Sequence, residues 1–209
     1  MAVKIQWLGH ASFKIVDGGT VIYIDPWQLS KAEHDATLIL VSHTHYDHYS
    51  AEDVAKATGP DSELIGPRDV IIAEGNGRII KPGQIIELGA VKVTAVASYN
   101  PNKQFHPKAN NWLGFVVEIE GTRIYYAGDT DITDEMKDLT NIDVALLPVG
   151  GTYTMGVEEA VTAVEHMKPK RAIPCHWGEI VGSHSDAERF ADAAECEVEV
   201  LHPGEELSV

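Results

Sequence analysis

Long apolar runs are missing from this 209-residue chain. No segment approaches the roughly 20 consecutive apolar residues of a membrane span, and Met1 to Leu8 (MAVKIQWL) lacks a basic leader followed by an apolar core. Neither a membrane span nor a secretory signal is therefore expected. Cysteine is scarce: Cys175 and Cys196 are too few for a disulfide framework, and reduced thiols in a cytoplasmic protein are the expectation. Basic residues are outnumbered, with 16 Lys and Arg against 32 Asp and Glu and a formal charge of −16. A field of that sign repels polyanions, so nucleic acid is not an expected partner. Low-complexity tracts, short-period repeats and linkers rich in Gly, Ser and Pro are also absent. One domain is the default for a chain that is 44% hydrophobic, and a homo-oligomer is left open.

Histidine is what the chain has in concentration. Ser42 to Ser50 reads SHTHYDHYS and places His43, His45, Asp47 and His48 within six residues. Imidazole and carboxylate are the N and O donors that suit Zn²⁺ and other first-row divalent ions. The preceding TLILV (Thr37 to Val41) reads as a short buried strand, so the cluster sits on the loop leaving it. On a helix His43 and His45 would point to different faces, because helical neighbours are three and four residues apart. A loop lets them converge on one ion while Asp47 and His48 turn toward a second, which implies a two-metal centre. The bland account is a polar, histidine-rich surface loop.

Along the chain, strands are expected at about Val3 to Leu8, Ser12 to Val16, Thr20 to Asp25 and Thr37 to Ser42. Helices follow near Ala51 to Thr58, capped by Ser50 with Asp53 in the first turn, and near Arg68 to Glu74. Ile79 to Ala97 reads as short strands. After a loop at Ser98 to Asn111, strands are expected at Trp112 to Ile119, Thr122 to Ala127 and Asp143 to Leu147, with a helical segment near Asp134 to Leu139. A helix near Val157 to Met167 has its apolar stripe at Val157, Ala160, Val161, Val164 and Met167. Strand Arg171 to Cys175, a helix opened by Ser185 and Glu188 at capping-box spacing, and strands Glu197 to Leu201 and Glu206 to Val209 complete the reading. Two similar halves emerge, about 1–97 and 112–209, which fit two sheets face to face with helices outside.

The motifs Gly9-His10-Ala11, Ile24-Asp25-Pro26, HTHYDH, Ala127-Gly128-Asp129-Thr130-Asp131, Leu147-Pro148-Val149-Gly150-Gly151 and Ile173-Pro174-Cys175-His176 follow in an order that resembles the metallo-β-lactamase-fold hydrolases. The resemblance covers nearly the whole chain. It is nearest to a small bacterial and archaeal group of metal-dependent hydrolases related to ascorbate-phosphate lactonases and N-acylphosphatidylethanolamine phospholipases. It implies an α/β fold, the four-layer αβ/βα sandwich, in one metallo-β-lactamase-like domain.

The same resemblance implies roles. Asp129, turned out by Gly128, is expected to bridge two ions, and His176 to complete the shell of the second. Asp131 is expected in solvent and Cys175 in buried packing, since adjacent strand residues face opposite ways. The first ion lacks a third protein ligand where the superfamily usually has one, because Ser98 and Tyr99 stand there instead of histidine; His106, in KQFHPKANNW, is the nearest substitute. Asp25 is expected behind a ligating imidazole, fixing its tautomer; His10, Lys108 and Tyr153 are the remaining pocket candidates, against a buried histidine bonded to backbone, a solvated lysine and a packed tyrosine. His34, His166 and His202 are assigned to surface or packing, and His184 is left undecided.

Together these readings point to a metal-dependent hydrolase with a small-molecule substrate. One or two divalent ions, Zn²⁺ first and Mn²⁺ or Fe as alternatives, would activate a hydroxide, oriented by the catalytic Asp47, to cleave an ester, lactone or phosphodiester. The rival is a non-hydrolytic di-iron redox or metal-binding protein on the same scaffold.

Overall fold

In the computed structural model, which describes residues 2–209, the chain forms two seven-stranded sheets, one in each of two compact units. The first unit runs to Lys81 and regains the chain at His202–Val209. Its strands are β1 (Lys4–Gly9), β2 (Ser12–Asp17), β3 (Thr20–Ile24), β4 (Ala36–Leu40), β5 (Thr58–Gly66) and β6 (Arg78–Ile79), with β14 (Glu206–Ser208) joining from the far end of the sequence. The order is β14-β1-β2-β3-β4-β5-β6. Pairings up to β2·β3 are antiparallel and those from β3·β4 onward are parallel.

Alternation along β1 to β3 sets the burial. Ile5, Trp7, Phe13, Ile15, Ile22 and Ile24 are all at most 1% exposed, each contributing roughly 1.5–3 kcal/mol by leaving water. Tyr23, Ile39 and Val41 form a second cluster with Val54 and Ala57 of α1 (Ala51–Ala57) and Val70 of α2 (Arg68–Glu74). Ser50 caps α1 as expected, accepting the Asp53 amide. Strand β5 was not expected, since Gly59-Pro60-Asp61-Ser62 reads as a turn. Its pairing with β4 shifts register between Ala36 and Leu38, and a side chain at Gly59 would strike the carbonyls of His34 and Ala36.

The second unit, Pro82–Leu201, contains β7 (Ile85–Leu88), β8 (Val91–Ala97), β9 (Leu113–Ile119), β10 (Thr122–Tyr126), β11 (Val144–Pro148), β12 (Arg171–Cys175) and β13 (Glu197–Val198) in the order β13-β12-β11-β10-β9-β8-β7. From β7 its pairings are again antiparallel up to β9·β10 and parallel thereafter. The pairing pattern of the first sheet is thus repeated, with β7 and β8 in the places of β14 and β1. The sheets do not divide the chain at 97: the hairpin β7–β8 lies in the second sheet, and β14 in the first. All of β11 is buried, as befits a parallel strand in mid-sheet.

Three α-helices belong to this unit: α3 (Asp134–Lys137), α4 (Val157–Met167) and α5 (His184–Ala193). In α4 the buried stripe takes Ala163 in place of the expected Val161. Helix α5 starts earlier than its expected cap, because Asp186 accepts the Ser183 amide at 2.8 Å and makes Ser183 the capping residue.

Candidate metal centre

In the first unit, β4 delivers Val41 and Ser42 into the histidine loop. The carbonyl of His45 accepts the amides of His48 and Tyr49, a turn that folds the donors back on themselves. His43 and His48 are at most 1% exposed, and Asp47 is buried. Asp25 follows β3 with φ +45° and is fully buried. One of its oxygens accepts the Ser42 amide at 2.6 Å; the other accepts the Ser42 hydroxyl and lies 2.7 Å from His48 Nδ1. A carboxylate only accepts, so His48 carries its proton on Nδ1 and turns the Nε2 lone pair outward. The Ser42 hydroxyl, 2.9 Å from His43 Nδ1, does the same for His43.

His43 Nε2 and His45 Nδ1 are 3.0 Å apart. Two ligands about 2.0–2.1 Å from a tetrahedral ion lie roughly 3.3 Å apart, so this pair has close to the spacing of a chelate. His10 sits in the turn after β1 at φ +47°, fully buried. Its ring meets Asp47 Oδ2 through Nε2 at 3.1 Å and stands edge-on to Trp27. His10 is therefore a neighbour of Asp47, and Asp47 Oδ2 is also 3.6 Å from His48 Nε2.

In the second unit, Asp129 leaves β10 through Gly128. That residue has φ +66°, and a Cβ on it would lie 2.7 Å from the Leu113 carbonyl, so glycine is required. Each oxygen of the buried Asp129 carboxylate addresses a different imidazole: Oδ2 is 3.1 Å from His106 Nε2, and Oδ1 is 3.1 Å from His176 Nε2. His176 follows β12 at φ +57° and is 2% exposed. Its carbonyl runs so close to Gly150 that a Cβ there would lie 2.2 Å away, which accounts for the Val-Gly-Gly sequence. Cys175 is buried, as expected.

The loop between β8 and β9 carries His106 inward at 1% exposure. Asn100, which the motifs did not single out, holds it there. Its Oδ1 accepts the His106 backbone amide at 3.0 Å and ring Nδ1 at 2.8 Å, while its Nδ2 donates to the Tyr153 carbonyl. Ser98 and Tyr99 take structural parts: Ser98 Oγ donates to the Asp129 carbonyl, and Tyr99 OH to Glu135. Asp131 is not the solvent residue that was expected; it is 5% exposed and paired with Lys103. Lys108 binds Glu135 at 2.7 Å and lies over the Tyr99 ring. Burial is the largest single influence on Glu135 and pushes its carboxyl up, but hydrogen bonds from Lys108, a backbone amide and Tyr99, with the Lys108 charge, together hold it below the usual carboxylate range. Tyr153 is half-buried with its ring edge-on to Phe105. His34, His166 and His202 are exposed, and His184 is an exposed residue against Trp177.

The donors in each unit are thus imidazole and carboxylate only, nearly all buried, at 3.0–3.6 Å spacings, a chemistry that fits divalent first-row ions. The profile of a β-lactamase superfamily domain matches residues 4–176. A protein of Thermococcus onnurineus (strain NA1), named a UPF0173 metal-dependent hydrolase, is 35% identical to this chain, covering 99% of it and 100% of itself. The chain belongs to this family of metal-dependent hydrolases. Its α/β fold is the metallo-β-lactamase sandwich. A crystal structure from Parabacteroides distasonis ATCC 8503 is similar at a TM-score of 0.85 and 28% identity, covering 97% of this chain and 94% of that one. CmlA, a diiron β-hydroxylase of Streptomyces venezuelae, shares the fold at a TM-score of 0.73 and 14% identity, over 100% of this chain and 54% of its own. Among the described residues no helix is long and apolar enough to cross a membrane.

Proposed function

We propose that this metal-dependent hydrolase cleaves an ester, lactone or phosphodiester with two divalent ions, zinc by preference. His43, His45 and His106 would hold the first, Asp47, His48 and His176 the second, and Asp129 both. The observation that carries the reading is the Asp129 carboxylate, whose two oxygens each face the Nε2 of a separate buried histidine. An ordinary turn aspartate has no reason to be so placed, whereas a carboxylate shared by two ions has.

Bound divalent ions supply Lewis acidity and lower the pKa of a coordinated water to about 7. The chain's own residues then position and exclude. Asp25 and Ser42 lock the tautomers of His48 and His43, so that lone pairs face the site without reorganisation. Asp47 orients the attacking water and accepts its proton, and His10 steadies that carboxylate through Oδ2. Both cysteines are thiols, in keeping with the cytoplasm.

Elemental analysis and an absorption spectrum of the purified protein, followed by a screen against lactones, esters, thioesters and phosphodiesters, test the reading. Colourless protein with up to two zinc ions and turnover of one class is expected. A stoichiometric, redox-active di-iron centre without hydrolysis would replace it with the redox alternative.

A further inference from the structure

The loop that carries His106 is pinned from several sides. Asn100 binds His106 and the Tyr153 carbonyl, and Lys103 binds Asp131 and the Thr154 carbonyl. Yet Phe105, one residue before His106, keeps 45% of its surface exposed. Its ring is not adrift: it meets Tyr153 edge-on with centroids 4.8 Å apart, a preferred aromatic geometry. A scattered exposed apolar residue needs no explanation. A held aromatic edge beside a buried imidazole does. The same juxtaposition recurs inside the first unit, where Tyr46 is 67% exposed between His45 and Asp47 and stands edge-on to Trp27 at 6.3 Å.

Charge on the loop argues in the same direction. Its lysines are Lys103 and Lys108. Lys103 is engaged by Asp131 and Glu159, and Lys108 by Glu135. Charge-assisted hydrogen bonds from free cations strengthen phosphate recognition. With both loop lysines paired to acids, a phosphodiester would have the metal ions alone to hold it, whereas the aromatic edge offers contact to an apolar group.

We infer that the substrate is an uncharged carboxylic ester or lactone whose apolar acyl portion packs against Phe105 and Tyr153, and is not a phosphodiester. The inference rests on the hydrolase reading and narrows it. Water oxygen bonds to the acyl carbon while Asp47 takes one proton from that water, the acyl C–O bond breaks, and the leaving alkoxide receives that proton from Asp47. The carboxylic acid formed gives its remaining proton to solvent. For a lactone the alcohol stays attached to the same product.

The test uses zinc-loaded protein with p-nitrophenyl esters from acetate to decanoate and with bis(p-nitrophenyl) phosphate. The expected result is a kcat/KM that rises on the order of two- to four-fold per methylene over the first few carbons, a buried CH₂ being worth up to about four-fold. Phe105→Ser should flatten that slope by raising KM for the longer esters. A flat chain-length profile, or preference for the phosphodiester, overturns the inference while leaving a hydrolase. If nothing is turned over, binding of n-alkyl hydroxamates to the zinc-loaded protein decides separately. Affinity that climbs with chain length and falls in Phe105→Ser upholds the apolar subsite and counts against hydrolysis. Affinity independent of chain length removes the subsite too.

Discussion

A single oxygen, Asn100 Oδ1, accepts both N–H groups of His106, the backbone amide at 3.0 Å and ring Nδ1 at 2.8 Å. With the Nδ1 proton committed, the ring has one lone pair to offer, and Nε2 carries it toward Asp129. Asn100→Leu should therefore lower the affinity of one metal site by roughly 10 to 100-fold, the scale on which partners of ligating histidines act. Asn100→Asp keeps an acceptor and should retain most of the affinity. Titration calorimetry with zinc distinguishes the sites, and an unaltered isotherm for Asn100→Leu would show that the loop alone positions His106.

Asp25→Asn is a sharper change than its size suggests. An amide in that place cannot accept from Ser42 N–H, Ser42 O–H and His48 Nδ1–H together. Turning its NH₂ toward His48 would force the proton onto Nε2, the atom meant for the ion. Metal affinity should drop by roughly 10 to 100-fold with the far-ultraviolet circular dichroism unchanged. Equal affinity in a chelator competition would reduce Asp25 to a structural residue.

Gly150→Ala places a methyl group where the His176 carbonyl now runs, 2.2 Å from the new carbon. Relief must come from moving the His176 backbone, at a cost of about 1–3 kcal/mol. The expected outcome is a lower melting temperature together with loss of one ion per chain by elemental analysis. A variant that melts lower but keeps full metal content would separate the glycine from the site.

Removing the metal should destabilise the protein. At a free ion concentration 100 times Kd, binding contributes about 2.7 kcal/mol, and a chain of this size shifts by roughly 2–4 °C per kcal/mol. Dialysis against a chelator should thus lower Tm by about 5 to 10 °C, and added zinc should restore it. An unchanged melting curve would mean that the buried donors are satisfied without an ion.

Much of this was legible before any coordinates. His43, His45, Asp47 and His48 are local in sequence, and the loop leaving a short apolar strand keeps them together. Asp25, Asp129 and His176 could be placed because each lies one to three residues past the end of a strand. Asn100 was not: its partner lies six residues on, and only the closure of an irregular loop brings them together. Asp131 was misplaced because nothing local reveals that Lys103 will reach it. Strand β5 was hidden by Gly59 and Pro60, since its order comes from pairing with β4 and not from its own propensity.

Strand β14 completes the first sheet by pairing with β1, so that Lys4 meets Glu206 across 202 positions of sequence. On the ribosome, everything in the second unit must be made before that partner exists. Through that interval β1 presents an open row of amides and carbonyls, an invitation to pair with another chain. Closing so distant a contact is also slow, because the entropy of a long loop is spent before the ladder returns anything. Until Glu206–Ser208 has been made, the nascent first sheet therefore lacks the strand that covers β1, whereas the strands of the second sheet all lie within one continuous segment.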